Sequence, residues 1–143
     1  MIAYIDSSAL VRIILRQPSP LEDWNSLKYG VSSALLLVEC NRTFDQLWHR
    51  GELTEADVLE KRALLLDFLP RLDIRPIDAR VLDVASQPFP TPLATLDALH
   101  LATAILYRAT QPPDEQPLVF ATHDRQLAVA AQAFDFRVVG TSV

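Results

Sequence analysis

Apolar residues in this chain follow two rhythms. Short unbroken apolar runs, among them "IAYI" from residue 2 and "LVF" from residue 118, are separated by longer stretches whose apolar positions recur every three to four residues. A short run that is apolar on both faces marks a strand buried inside a sheet, whereas the longer period marks a helix with one side against a core. Read in order, Ile2 to Ile5 is a strand and "SSALVRIIL" a helix entered through a serine cap. "KYGVSS" is a short strand, followed by "SSALLLVECNRTFDQLWHRG", a long helix with a serine start and Gly51 as its stop. "LTEADVLEKRALLLDFLP" carries Thr54 as N-cap, Asp57 as its capping-box partner three residues on, and Pro70 to close it.

The second half continues the alternation. "RLDIRPI" is a short strand, "DARVLDVASQ" a helix capped by Asp78, and "FPTPLATLDALHLATAILYRAT" a proline-rich loop running into a helix from Thr95. After the solvated loop "QPPDEQP", "LVFATHD" is a strand, "RQLAVAAQAF" a helix and "FRVVG" a last strand. Strands separated by helices imply right-handed crossovers and a mainly parallel sheet covered on both faces. The expected fold is a three-layer α/β/α sandwich, built as a single domain over residues 1–143.

Composition narrows the function. A chain of 143 residues buries roughly two thirds of its unfolded surface without metals or disulfides. With 50% hydrophobic residues, 22% charged and only 3 glycines, disorder and glycine-rich phosphate loops are both excluded. The lone cysteine, Cys40, cannot form an internal disulfide and fits a reducing compartment. The N-terminus lacks the features of a secretion signal, and no apolar run approaches the ~20 residues that span a bilayer, so the expected location is the cytoplasm. The formal net charge of -5 disfavours sequence-blind binding to a phosphate backbone, so any nucleic-acid contact must be local or bridged by cations.

Four acids stand at odds with their surroundings. Asp6 follows the first apolar strand and Asp124 follows "LVFATH", at the sheet edge where open α/β folds bind ligands. Each is equally read as the cap of the next helix. Asp97 lies in the first turn of an apolar helix, where the helix dipole alone accounts for it. Glu39 follows Ala34 to Val38, and its alternatives are an i,i+3 ion pair with Arg42 or a place in the same crevice. Brought together, four carboxylates repel one another unless cations or protons neutralise them, and an all-oxygen donor set suits Mg²⁺ or Mn²⁺ better than zinc. His100, three residues after Asp97, reads as a packed helix histidine, and Trp24 and Trp48 as packing or interface residues.

In order and spacing, "YIDSSALV", "SSALLLVECNR", "TLDALHLATA" and "ATHDRQL" resemble the PIN domain, and in length the VapC-type toxins of toxin-antitoxin pairs. The likeness covers almost the whole chain. It implies a metal-dependent endoribonuclease that takes Mg²⁺ or Mn²⁺ on Asp6, Asp97, Glu39 and Asp124, with Thr122 and Ser7 as polar support. It also implies an RNA substrate, a small VapB-like antitoxin whose tail wraps the toxin, and a homodimer. The alternatives on a similar scaffold are a metal-dependent DNA nuclease or phosphatase, or a non-catalytic binding module whose acids accept a partner's arginines.

Overall fold

Apolar residues of alternate register divide the central strands between two cores. In the computed structural model, which describes residues 2–17, 29–115 and 118–141, β1 (Ile2–Ile5) sends Ala3 and Ile5 to one side of a sheet and Tyr4 to the other. In β4 (Val119–Ala121), Val119 and Ala121 join the first side and Phe120 the second. Strands buried on both faces need a layer of helices on each. The first side is covered by α1 (Ser7–Ile14), α2 (Leu35–His49) and α3 (Glu55–Phe68), whose Leu10, Leu36, Phe44 and Leu65 fill the core there. The second is covered by α5 (Thr95–Ala109) and α6 (Arg125–Ala133), through Leu101, Ala104, Leu127 and Ala131. The short α4 (Ala79–Ala85) packs against α5. The expected three-layer sandwich is the observed one.

With β2 (Tyr29–Ser33), β3 (Leu72–Arg75) and β5 (Arg137–Val139), the sheet order is β3-β2-β1-β4-β5, and every neighbouring pair is parallel. The chain winds outward from β1 through β2 to β3, then crosses back so that β4 lies on the other flank of β1. The direction of winding therefore reverses between β1 and β4. At the carboxyl ends of two such strands the following loops diverge to opposite faces and leave a crevice. Asp6 ends one of these strands and Thr122 the other.

Local chemistry sets the helix starts. The capping box at α3 forms as expected: the Asp57 amide donates to the Thr54 hydroxyl at 3.1 Å, and the Thr54 amide to the Asp57 carboxylate at 2.9 Å. Asp78 caps α4 by accepting from the Val81 amide at 3.0 Å. Two expectations change. The cap of α1 is Asp6 rather than a serine, its carboxylate accepting from the Ala9 amide at 3.1 Å. The long helix starts at Leu35, because Ser32 and Ser33 finish β2; Ser32 donates to the Ile5 carbonyl at 2.6 Å and Ser33 accepts from the Leu35 amide. Gly51 follows this helix with φ at 74°, in the left-handed region that a glycine stop occupies cheaply. Pro70 sits inside a 3₁₀ turn, Leu69–Arg71, that leads into β3. Trp48 is 44% exposed, and Trp24 lies outside the described residues. Among the described residues no helix is long and apolar enough to cross a membrane.

Candidate active site

Asp6 is almost fully buried, at 3% exposure, and each carboxylate oxygen has a donor. Oδ1 accepts from the Ser8 hydroxyl at 2.7 Å and from the Ala9 amide, and Oδ2 accepts from the Thr122 hydroxyl at 2.6 Å. Thr122 Oγ1 accepts in turn from the Asp124 amide at 2.9 Å, while Ser8 Oγ accepts from the His123 amide at 2.9 Å. The turn after β1 and the turn after β4 are thus knitted into one unit at the switch point. The Asp6 amide also donates to the Ala121 carbonyl at 3.1 Å, which sets the two strand ends level.

The serine that reaches Asp6 is Ser8, where the sequence pointed to Ser7. The cause is the cap itself. With Asp6 as N-cap, the residue two positions on turns its hydroxyl back over the cap carboxylate, and Ser7, partly exposed at the first helical position, does not occupy that place. The cap reading holds for both acids: the Asp6 carboxylate caps α1, and Asp124 Oδ1 caps α6 by accepting from the Leu127 amide at 3.0 Å.

Glu39 and Asp97 approach from α2 and α5. The ion pair considered for Glu39 is not formed: Arg42 turns to Asp45 at 3.1 Å, and Glu39 Oε1 meets Nε2 of the buried His100. His100 is held at its other nitrogen by the Tyr4 hydroxyl at 2.7 Å. Tyr4 and Ser8 escaped the sequence reading; His100, read there as a packed helix histidine three residues after Asp97, is buried as expected, and its bond to Glu39 was not foreseen.

Electrostatics join the four acids. Asp97 is pushed up to about 6, first by burial, then by the negative charges of Asp124 and Asp6; His100 opposes this and Glu39 adds to it. Burial also raises Asp6, against the lowering influence of His100 and of the donors Thr122, Ser8 and Ala9. Cys40, beside Glu39 on α2, is pushed up to about 12 by burial and by Glu39 and Asp6, so it stays a thiol within the core.

Among the described residues no three acidic, histidine or cysteine side chains converge as a ready-made metal cage. The acids are individually engaged: Asp6 and Asp124 by helix amides and Glu39 by His100. The donor set nevertheless fits a hard divalent cation. It is all oxygen, and the charges of Asp124, Asp6 and Glu39 all raise Asp97, a repulsion that a cation relieves.

A family model described as PIN domain matches residues 3–133. Among characterised relatives, the chain is 40% identical over 104 residues to ribonuclease VapC46 of Mycobacterium tuberculosis (strain ATCC 25618 / H37Rv), covering 71% of this chain and 72% of that one. It is 32% identical over 143 residues to ribonuclease VapC35 of the same strain, covering 95% and 94%. Its fold is similar to VapBC2 from Rickettsia felis bound to a DNA fragment from their promoter, with a TM-score of 0.66 at 14% identity over 96% of this chain and 97% of that one. It is also similar to FitAcB from Neisseria gonorrhoeae, with a TM-score of 0.62 at 22% identity over 96% of each. At these identities the solved structures speak for the fold alone.

Proposed function

The chain belongs to the PIN domain family, and from that premise we propose that it is a metal-dependent endoribonuclease acting as the toxin of a VapBC-type toxin-antitoxin pair. The observation that carries the reading is the Asp6–Thr122 hydrogen bond, which fixes a buried carboxylate beside Asp124 at the switch point of a parallel sheet. Two curated relatives similar over most of their length are named ribonucleases, which supports RNA as the substrate.

Asp6 and Asp97 would hold a Mg²⁺ or Mn²⁺ ion directly, with Glu39 and Asp124 completing the pocket. When bound, such an ion neutralises phosphate charge and acidifies water at the scissile phosphorus. The chain's own part is positional. Thr122 and Ser8 fix the orientation of the Asp6 carboxylate, the α6 cap fixes Asp124, and Ser7 remains at the mouth of the first turn as a polar neighbour. RNA meets this acidic rim only where cations offset the charge of both partners.

Partner binding follows from the same surface. Val38 on α2 and Leu96 on α5, the helices that carry Glu39 and Asp97, are 57% and 46% exposed, so both helices present an apolar side chain to solvent. That combination suits a VapB-like antitoxin tail that brings an arginine to the acids and apolar residues to the rim. Leu59 and Leu66, seven residues apart on the outer face of α3, are also exposed and support self-association as a homodimer. We place the protein in the cytoplasm, where its RNA substrate is found.

The test is turnover. Purified protein with Mn²⁺ should cut single-stranded RNA, leave DNA and small phosphoesters intact, and stop on addition of EDTA. Preference for DNA or small esters would instead support a different phosphodiesterase on this scaffold, and metal binding without any hydrolysis would support a binding module.

A further inference from the structure

His100 is 1% exposed and engaged at both ring nitrogens, by Tyr4 from β1 and by Glu39 from α2. With Glu39 as a carboxylate, Nε2 of His100 donates to it; a neutral ring then accepts at Nδ1 from the Tyr4 hydroxyl. Ser32 and Thr103, whose hydroxyls neighbour that of Tyr4, donate to the Ile5 carbonyl at 2.6 Å and to the Leu99 carbonyl at 2.7 Å. The Tyr4 ring is itself stacked on Phe120, with centroids 5.1 Å apart, and the stack anchors the whole relay in the second core.

The relay ties together three of the four segments that deliver carboxylates. Tyr4 is on β1, two residues before Asp6, His100 lies three residues after Asp97 on α5, and Glu39 is the acid of α2. Glu39 has a long side chain with several rotamers, and Arg42, the cation nearest in sequence, is committed to Asp45. We infer that Tyr4 and His100 are a buried positioning pair that fixes the Glu39 carboxylate against Asp6, Asp97 and Asp124 and thereby sets how tightly this crevice takes a divalent cation. The inference rests on the reading of these acids as a metal site. Carboxylates that bind metals depend on such outer hydrogen bonds, whose loss weakens affinity or activity by about 10–100-fold.

Calorimetry of Mn²⁺ binding tests the pair, run on wild type, Tyr4→Phe, His100→Gln and His100→Ala with circular dichroism and thermal melts alongside. Tyr4→Phe keeps the ring and its stack but removes the hydroxyl at Nδ1, so one of the two bonds that hold the His100 ring towards Glu39 is lost. His100→Gln sets an amide N–H near the former Nε2. Tyr4→Phe and His100→Ala should bind Mn²⁺ about 10–100-fold more weakly than wild type, with His100→Gln recovering most of the loss, and single-turnover RNA cleavage should fall in the same order. If His100→Ala does not fold, the other two variants still decide. A folded Tyr4→Phe that binds Mn²⁺ as tightly as wild type, or a folded His100→Gln as weak as His100→Ala or Tyr4→Phe, would overturn the inference and leave the pair as core packing. A wild-type chain that binds no Mn²⁺ would overturn the metal-site reading itself, and the inference with it.

Discussion

Thr122 donates its hydroxyl to Oδ2 of Asp6 across 2.6 Å, joining residues 116 positions apart at the point where the winding of the sheet reverses. Both side chains are buried. Thr122→Val keeps the shape and removes the donor, leaving the Asp6 carboxylate short of one hydrogen bond and the Asp124 amide without its acceptor. A stability loss of about 1–3 kcal/mol is expected, seen as a lower melting temperature. Thr122→Ser, which retains the hydroxyl, should recover most of it. A Thr122→Val protein as stable as wild type would show that Ser8 and the backbone contacts hold the two turns without the Thr122 hydroxyl.

The acids also predict how metal stabilisation depends on pH. Asp6 and Asp97 are both raised above the ordinary aspartate value, Asp97 to about 6. Between about pH 4 and 6 the folded chain therefore holds protons that the unfolded chain has released. Their contribution to stability is complete at low pH and is lost as pH rises through the folded values. A divalent cation replaces those protons. The gain in melting temperature on adding Mn²⁺ to EDTA-treated protein should therefore be small at pH 5 and larger at pH 7.5. Equal gains at the two pH values would mean that the ion binds elsewhere.

Competition between antitoxin and metal is a further expected outcome. An arginine that bridges the carboxylates bidentately occupies the place of a cation, so adding the cognate antitoxin should abolish cleavage and weaken Mn²⁺ affinity together. Calorimetry with and without the antitoxin reads both. Unchanged metal affinity in a fully inhibited complex would locate inhibition in blocked RNA access instead.

Stability away from the site is predicted at Gly30 in β2. A Cβ there would come within 2.5 Å of Leu72 Cδ2 and 3.0 Å of Ile5 Cδ1, so β3 and β1 pack against bare backbone. Gly30→Ala forces Leu72 aside and should cost about 1–3 kcal/mol, towards the lower end because Leu72 can turn. Denaturant unfolding measures it.

What was legible in the chain was what is local. The Thr54–Asp57 box lies within four residues, and the order of strands and helices follows from apolar periodicity, so both were read correctly from the sequence. The pairing of strands was not legible, since nothing in "LVFATHD" says that it lies beside β1 rather than beside β3. The four acids stood out because each follows or enters an apolar segment, yet their partners did not. Glu39 could have met Arg42 three residues on, but the rotation of α2 turns Glu39 inward to His100, 61 positions away, and leaves Arg42 outside with Asp45. Similarly, "DSS" offers two serines to Asp6, and only the position of the helix cap decides for Ser8. Long-range contacts of this kind depend on packing that no single segment encodes.

On the proposal made above, Asp6 and Asp97 hold the metal with which this chain cuts RNA. Mn²⁺-dependent cleavage of a single-stranded RNA by wild type, Asp6→Asn and Asp97→Asn, with circular dichroism to confirm folding, tests it most directly. Each swap keeps the side-chain shape and removes a ligand charge. Both folded variants should lose more than about 100-fold in cleavage rate, beyond the 10–100-fold typical of losing an outer contact. Undiminished Mn²⁺-dependent cleavage by the two folded variants would contradict the account.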